Sequence, residues 1–185
     1  MIPLKLETLL EGRVVESERV EYKRGWNPTE ILPTICAFAN DFSNINGGYI
    51  VIGIEEKYGR PVLPPFGVDV NDFDKIQQEL FQYCNFIMPR YIPKIEIVEY
   101  QGKSLIYLWC SAGDGGPYSA PEDVLSKNKH KEYWIKPSSV KTIAKGSELS
   151  ELFHKFNAIP FDDRVCRGAT IDDIRRGHLE DFLRE

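Results

Sequence analysis

Apolar positions along this chain recur with two different periods, and each change of period marks a change of element. Leu4, Leu6, Leu9 and Leu10 fall in a short helical window over 3–12, which Gly12 ends. "RVEYK" at 19–23 alternates and predicts a strand. Gly25, Asn27 and Pro28 break the chain there. Asn27 suits an N-cap and Pro28 a first helical position, and Ile31, Ile35, Phe38 and Ala39 mark one face of the helix that follows. Pro33 lies near its start, where a missing amide donor matters less.

"DFSNINGG" reads as a loop, and "YIVIGIEE" is apolar on both faces, as a central buried strand must be. "KYGRPV" turns back into a weaker strand. Helical spacing returns over 70–87 at Phe73, Ile76, Leu80 and Phe81, and Pro89 and Pro93 delimit an extended connection. "KIEIVEY" and "KSLIYLWCSA" flank Gln101-Gly102, a hairpin turn. "GDGGPYSAPEDVL" reads as a loop or lid, and "EYWIK" as a further strand. In "GSELSELFHKFNA" Ser147 is the expected cap, with Leu149, Leu152, Phe153 and Phe156 as the buried stripe. From Phe161 the chain turns polar, a connection into a short helix near 170–184.

That order predicts an α+β (mixed α/β) domain, a mixed β-sheet with helices packed on it, over 1–160, followed by the connecting segment 161–185. Hydrophobic residues are 42% and aromatics 12% of 185, enough for a folded core and too many for a disordered chain. The net charge of −5 excludes a whole-surface polycation but leaves room for a local phosphate-binding patch. Cys36, Cys84, Cys110 and Cys166 are far apart in sequence and form no CxxC pair, and His130, His154 and His178 are scattered. Free thiols, no signal peptide and no run of 18 apolar residues imply a cytoplasmic protein with no membrane partner.

Four sets of residues bear on chemistry. Glu16, Glu18, Glu21, Glu55 and Glu56 are either solvated surface acids or, where the chain bends enough to bring three together, ligands for Mg²⁺ or Mn²⁺. "NGGYIVIG" has neither spacing of the nucleotide loops and puts glycine before a strand, which favours a tight turn over an ATP site. Residues 127–145 hold six lysines against one acid, interleaved with Tyr133, Trp134, Ser138, Ser139 and Thr142. Such a segment either contacts phosphates and stacks bases, or is a solvated hairpin whose aromatics turn inward. No serine or cysteine sits in a nucleophile elbow.

Three segments together resemble one family. "ESERVEYKR", "ICAFANDFSNINGGYIVIGIEE" and "EYWIKPSSVKTIA" resemble the Schlafen AlbA-like domain, also called the divergent AAA domain, over roughly residues 10–175. The resemblance implies a nucleic-acid-binding domain of a transcriptional regulator, with DNA the expected partner ahead of RNA and no cofactor. Lys23, Arg24, Lys136, Ser138, Ser139 and Lys141 would line a basic groove on the phosphate backbone. The vertebrate relatives imply an alternative, a metal-dependent endoribonuclease with Glu16, Glu21 and Glu56 as its catalytic and Mg²⁺- or Mn²⁺-binding set. Glu56 stands where that pattern has Asp, and Lys136-Pro137 where it has Arg and Gly. A binding module is favoured over an enzyme; a protein-interaction or assembly module, such as a homo-oligomer, is the remaining reading.

Overall fold

The computed structural model describes residues 2–11 and 18–157. The elements run α1 (Leu6–Glu11), β1 (Val20–Lys23), α2 (Pro28–Asn40), β2 (Gly48–Ile52) and the small hairpin β3 (Glu56–Lys57) and β4 (Arg60–Pro61). A 3₁₀ turn (Val70–Asp72) then opens α3 (Phe73–Cys84), followed by β5 (Lys94–Tyr100) and β6 (Lys103–Cys110). The C-terminal part adds β7 (Ala120–Pro121), β8 (Lys131–Glu132), β9 (Trp134–Ile135), β10 (Thr142–Ile143) and α4 (Ser147–Phe156).

The main sheet has the order β1-β2-β6-β5, with β1 and β2 parallel and the other pairs antiparallel. A parallel pair cannot be joined by a tight turn, and α2 supplies the crossover. Strand alternation divides the core in two. Ile50, Ile52, Ile106 and Leu108 face α2 and α3, whereas Val20, Tyr22, Tyr49, Val51, Leu105 and Tyr107 face α1. The β1–β2 register sets Glu21 opposite Ile50, so Glu21 and Lys23 point to the α2 side.

Two glycines let the layers close. A Cβ on Gly47 would lie 2.0 Å from the Cys110 carbonyl, and one on Gly48 2.3 Å from the Phe38 ring. The Gly-Gly pair therefore serves close packing, and Gly47 also takes φ +77 at the entry to β2. The β5–β6 hairpin turns on Gln101 and Gly102, both with positive φ, as its sequence predicts.

Several expectations are corrected. The central strand ends at Ile52, because Gly53 takes φ +105 and turns away while its N–H donates to the Lys23 carbonyl. Ser147 does not cap α4; it is the first helical residue, and Gly146 occupies the cap position without a side chain. On α3 the buried residues are Ile76, Leu80 and Cys84, while Phe81 is 40% exposed. On α4 Leu152 is buried and Phe153 borders solvent. "EYWIK" splits, its first part pairing with β7 and Trp134–Ile135 with β10. Glu16, Cys166 and the helix expected near 170–184 lie outside the described residues. Among the described residues no helix is long and apolar enough to cross a membrane.

Candidate nucleic-acid interface

The motif residues meet beside the N-terminal half of α2. Glu21 leaves β1 toward that helix and meets two ammonium groups, Lys23 Nζ at 2.8 Å and Lys136 Nζ at 2.9 Å. Lys23 also lies 3.5 Å from the Glu30 carboxylate. Lys141 crosses from the next loop to donate to the Glu30 carbonyl at 2.8 Å and to Thr34 Oγ1 at 3.1 Å. Three cations thus gather round two carboxylates, from segments more than a hundred residues apart.

The electrostatics follow from burial. Burial alone would push the Glu21 carboxyl up, but the Lys136 and Lys23 charges and their hydrogen bonds outweigh it and hold the group below the usual range. Lys141 is held below its ordinary value, by burial first and by the neighbouring Lys23 and Lys136 charges, with Glu21 and Glu30 opposing.

The residues expected to meet phosphate divide into two groups. Lys136 is corrected: its side chain is 1% exposed, and it is committed to Glu21 and to the Ser139 carbonyl. A charge so enclosed ties the 136–139 loop to β1 and does not reach out to a ligand. Ser138 and Ser139 are exposed, the Ser138 hydroxyl accepting from the Val140 N–H. Lys23 and Lys141 are partly exposed. Arg24 stands apart from the cluster, its guanidinium 4.1 Å from the Phe66 ring centroid.

The lysine-rich segment is accordingly not one continuous strip. Lys129 lies 4.2 Å from the Phe86 ring centroid, just past the end of α3, whereas Lys136 is enclosed against Glu21. The aromatics of the segment turn inward: Trp134 is buried and donates to the Ala120 carbonyl, and Tyr133 packs edge-on against Phe153.

Two of the three carboxylates expected to hold a metal are otherwise engaged. Glu21 is shared between two lysines, and Glu56 accepts from the Gly59 N–H of its own turn. Among the described residues no three of His, Cys, Asp and Glu are grouped to hold a metal ion. Glu21 and Glu56 as arranged do not fit that role.

Two residues that the hydrophobic pattern did not single out hold the interface in place. Asn40 is fully buried, donating to the Tyr118 and Trp134 carbonyls at 2.8 Å each and accepting from the Tyr118 N–H at 2.7 Å. It pins the 113–121 segment, which is therefore no free lid. Asp41, in left-handed conformation at the end of α2, accepts from the Ile45, Asn46 and Gly47 N–H groups and pairs with Lys155 of α4. An amide and an acid together at the end of an otherwise apolar helix were the signal in "FAND".

At the carboxyl ends of β1 and β2 a cleft of about 350 Å³ opens, lined by Trp26, Val68, Asp69, Asp72 and Lys75 among others. Trp26 donates to Glu79 at 2.7 Å, which fixes its ring at the cleft.

A four-stranded mixed sheet backed by α2 and α3, with a lysine cluster at the helix-covered face, is an α+β domain of the AlbA-like kind. The chain belongs to the Schlafen, AlbA_2 family, whose model matches residues 16–145. Among solved structures it is similar to the DIP2311 protein of Corynebacterium diphtheriae, at 18% identity and TM-score 0.52, over 88% of this chain and 28% of that one. The present chain thus spans less than a third of that protein's length. It is also similar to the N-terminal domain of a protein described as ATP-dependent DNA helicase RecG-related, from Nitrosomonas europaea. That likeness has 27% identity and TM-score 0.50, over 69% of this chain and 81% of that one. No curated protein matches the chain.

Proposed function

We propose that this chain is the nucleic-acid-binding domain of a cytoplasmic transcriptional regulator and that it contacts the phosphate backbone of DNA. The observation that carries this reading is the convergence of Lys23, Lys136 and Lys141 on one side of α2. Membership of the Schlafen, AlbA_2 family and likeness to a DNA-helicase-related domain support it. Lys136 is enclosed against Glu21, and the partly exposed Lys23 and Lys141, each also bonded within the cluster, are the cations an incoming anion would meet. The Ser138 and Ser139 hydroxyls and backbone border the same edge, and Arg24 offers a separate exposed cation beside Phe66. A phosphate beside Lys141 would offset the burial that depresses its charge.

The test is a fluorescence-anisotropy titration of the full chain against labelled duplex and single-stranded DNA over a salt series. The logarithm of the affinity should fall linearly with the logarithm of salt, and Lys23→Gln and Lys141→Gln should each reduce the slope by about 1. Absence of binding to every nucleic acid at low salt would overturn the reading.

A further inference from the structure

Beyond the lysine cluster, an aromatic and cationic surface stands at the carboxyl end of the sheet. The chain leaves β2 at Gly53 and returns at Gly67, whose N–H donates to the Gly53 carbonyl at 2.8 Å. Within that loop the Val62 N–H donates to the Glu55 carbonyl at 2.8 Å and closes the β3–β4 hairpin into a finger. Its two-residue tip is Tyr58-Gly59, with φ of +55 and +74.

Successive positive φ values are what a two-residue hairpin of this kind requires, and Asn-Gly is the favoured pair. A tyrosine there is disfavoured locally and gains nothing in the core, because the residue is 88% exposed. The turn is held by Gly59, whose N–H donates to the Glu56 carboxylate. Lys57 Nζ lies 5.6 Å from the Tyr58 ring centroid, and Arg60 is exposed across the hairpin. On the same loop Phe66 is 47% exposed and carries the Arg24 guanidinium on its face. Exposed aromatic rings interleaved with cations match unpaired bases on a phosphodiester backbone, since every base offers a π-face. Paired bases within a duplex are already stacked and cannot use them.

We propose that the β3–β4 hairpin is a stacking finger for single-stranded nucleic acid. In it Tyr58 takes an unpaired base, and Lys57, Arg60 and Arg24 take the flanking phosphates. The proposal deepens the nucleic-acid reading above and rests on it.

The experiment uses the full chain and two fluorescein-labelled probes, an oligothymidylate of about 12 nucleotides and a blunt duplex of the same length. Tyr58→Asn, which suits the turn, should weaken single-strand binding by roughly 5- to 150-fold, the range for one missing base stack. It should leave duplex affinity and the salt slope unchanged and should melt no lower than the parent chain. Tyr58→Trp should bind the single strand as well as the parent. Lys57→Gln with Arg60→Gln should instead lower the single-strand salt slope, by roughly 0.7 for each phosphate no longer neutralised. Unchanged single-strand affinity in Tyr58→Asn would overturn the finger, as would an equal loss on both probes. A parent chain that binds duplex and not single strand overturns the finger and leaves the broader reading standing. A parent chain that binds neither probe overturns both.

Discussion

Replacing Lys136 by Met removes one of the two charges that Glu21 faces while keeping most of the aliphatic stem. The side chain of Lys136 is 1% exposed and that of Glu21 9%. Breaking a buried pair by deleting one partner typically costs about 3–5 kcal/mol. Lys23 remains 2.8 Å from Glu21 and is itself in contact with solvent. The expected loss is therefore lower, about 2–4 kcal/mol at neutral pH. For a chain of this size that is a fall in Tm of roughly 4–16 °C. Urea denaturation followed by tryptophan fluorescence measures it.

The pH dependence supplies an independent check. The Glu21 carboxyl is held below its unfolded value, with burial opposing and the Lys136 charge the largest favourable cause. It therefore contributes stability that is fully present above the unfolded carboxylate pKa of about 4.3 and is lost as pH falls through the lower folded value. Without Lys136 the folded value rises, so the contribution shrinks at neutral pH. The difference between parent and variant should be largest near neutral pH and should narrow below about pH 4. In Glu21→Gln with Lys136→Met no carboxylate is left half-paired, and the double variant should lose less than the sum of the single losses. A loss in Lys136→Met below about 0.5 kcal/mol, the range of ordinary surface substitutions, would refute the structural role. So would a difference that stays constant as the pH falls.

Asn40→Ala removes the bonds to the Trp134 carbonyl and the Tyr118 N–H and leaves the Tyr118 carbonyl with the weaker Cys36 thiol. It should lower stability by about 2–4 kcal/mol by chemical denaturation, and Asn40→Asp should not rescue it, because a carboxylate would face those carbonyls. The thiols of Cys36 and Cys84 are pushed up by burial to about 12, and that of Cys110 well above its ordinary value. All three should resist a thiol reagent at pH 8 in the native chain and react on unfolding, which peptide mass mapping reads directly. Rapid native labelling of any of them would contradict the packing described.

Hydrophobic periodicity by itself determined the helix that Asn27 and Pro28 open, the wholly apolar central strand and the Gln101-Gly102 hairpin. Each is set by interactions within a few residues, so local pattern suffices. Register, and with it the fate of the charges, was decided only by the tertiary structure. Glu21 and Lys136 are 115 positions apart, and nothing near either in sequence signals that they neutralise one another. The lysine-rich run was legible as charge, but not that its middle member is buried and its first members stand elsewhere. That depended on which strands β7 and β10 chose as partners. Asn40 reads locally as a weak helix residue and acts as a bridge between segments 78 and 94 positions away. The sequence carried the elements and the lysines. Long-range packing decided which of those charges is enclosed against Glu21 and which stay in contact with solvent.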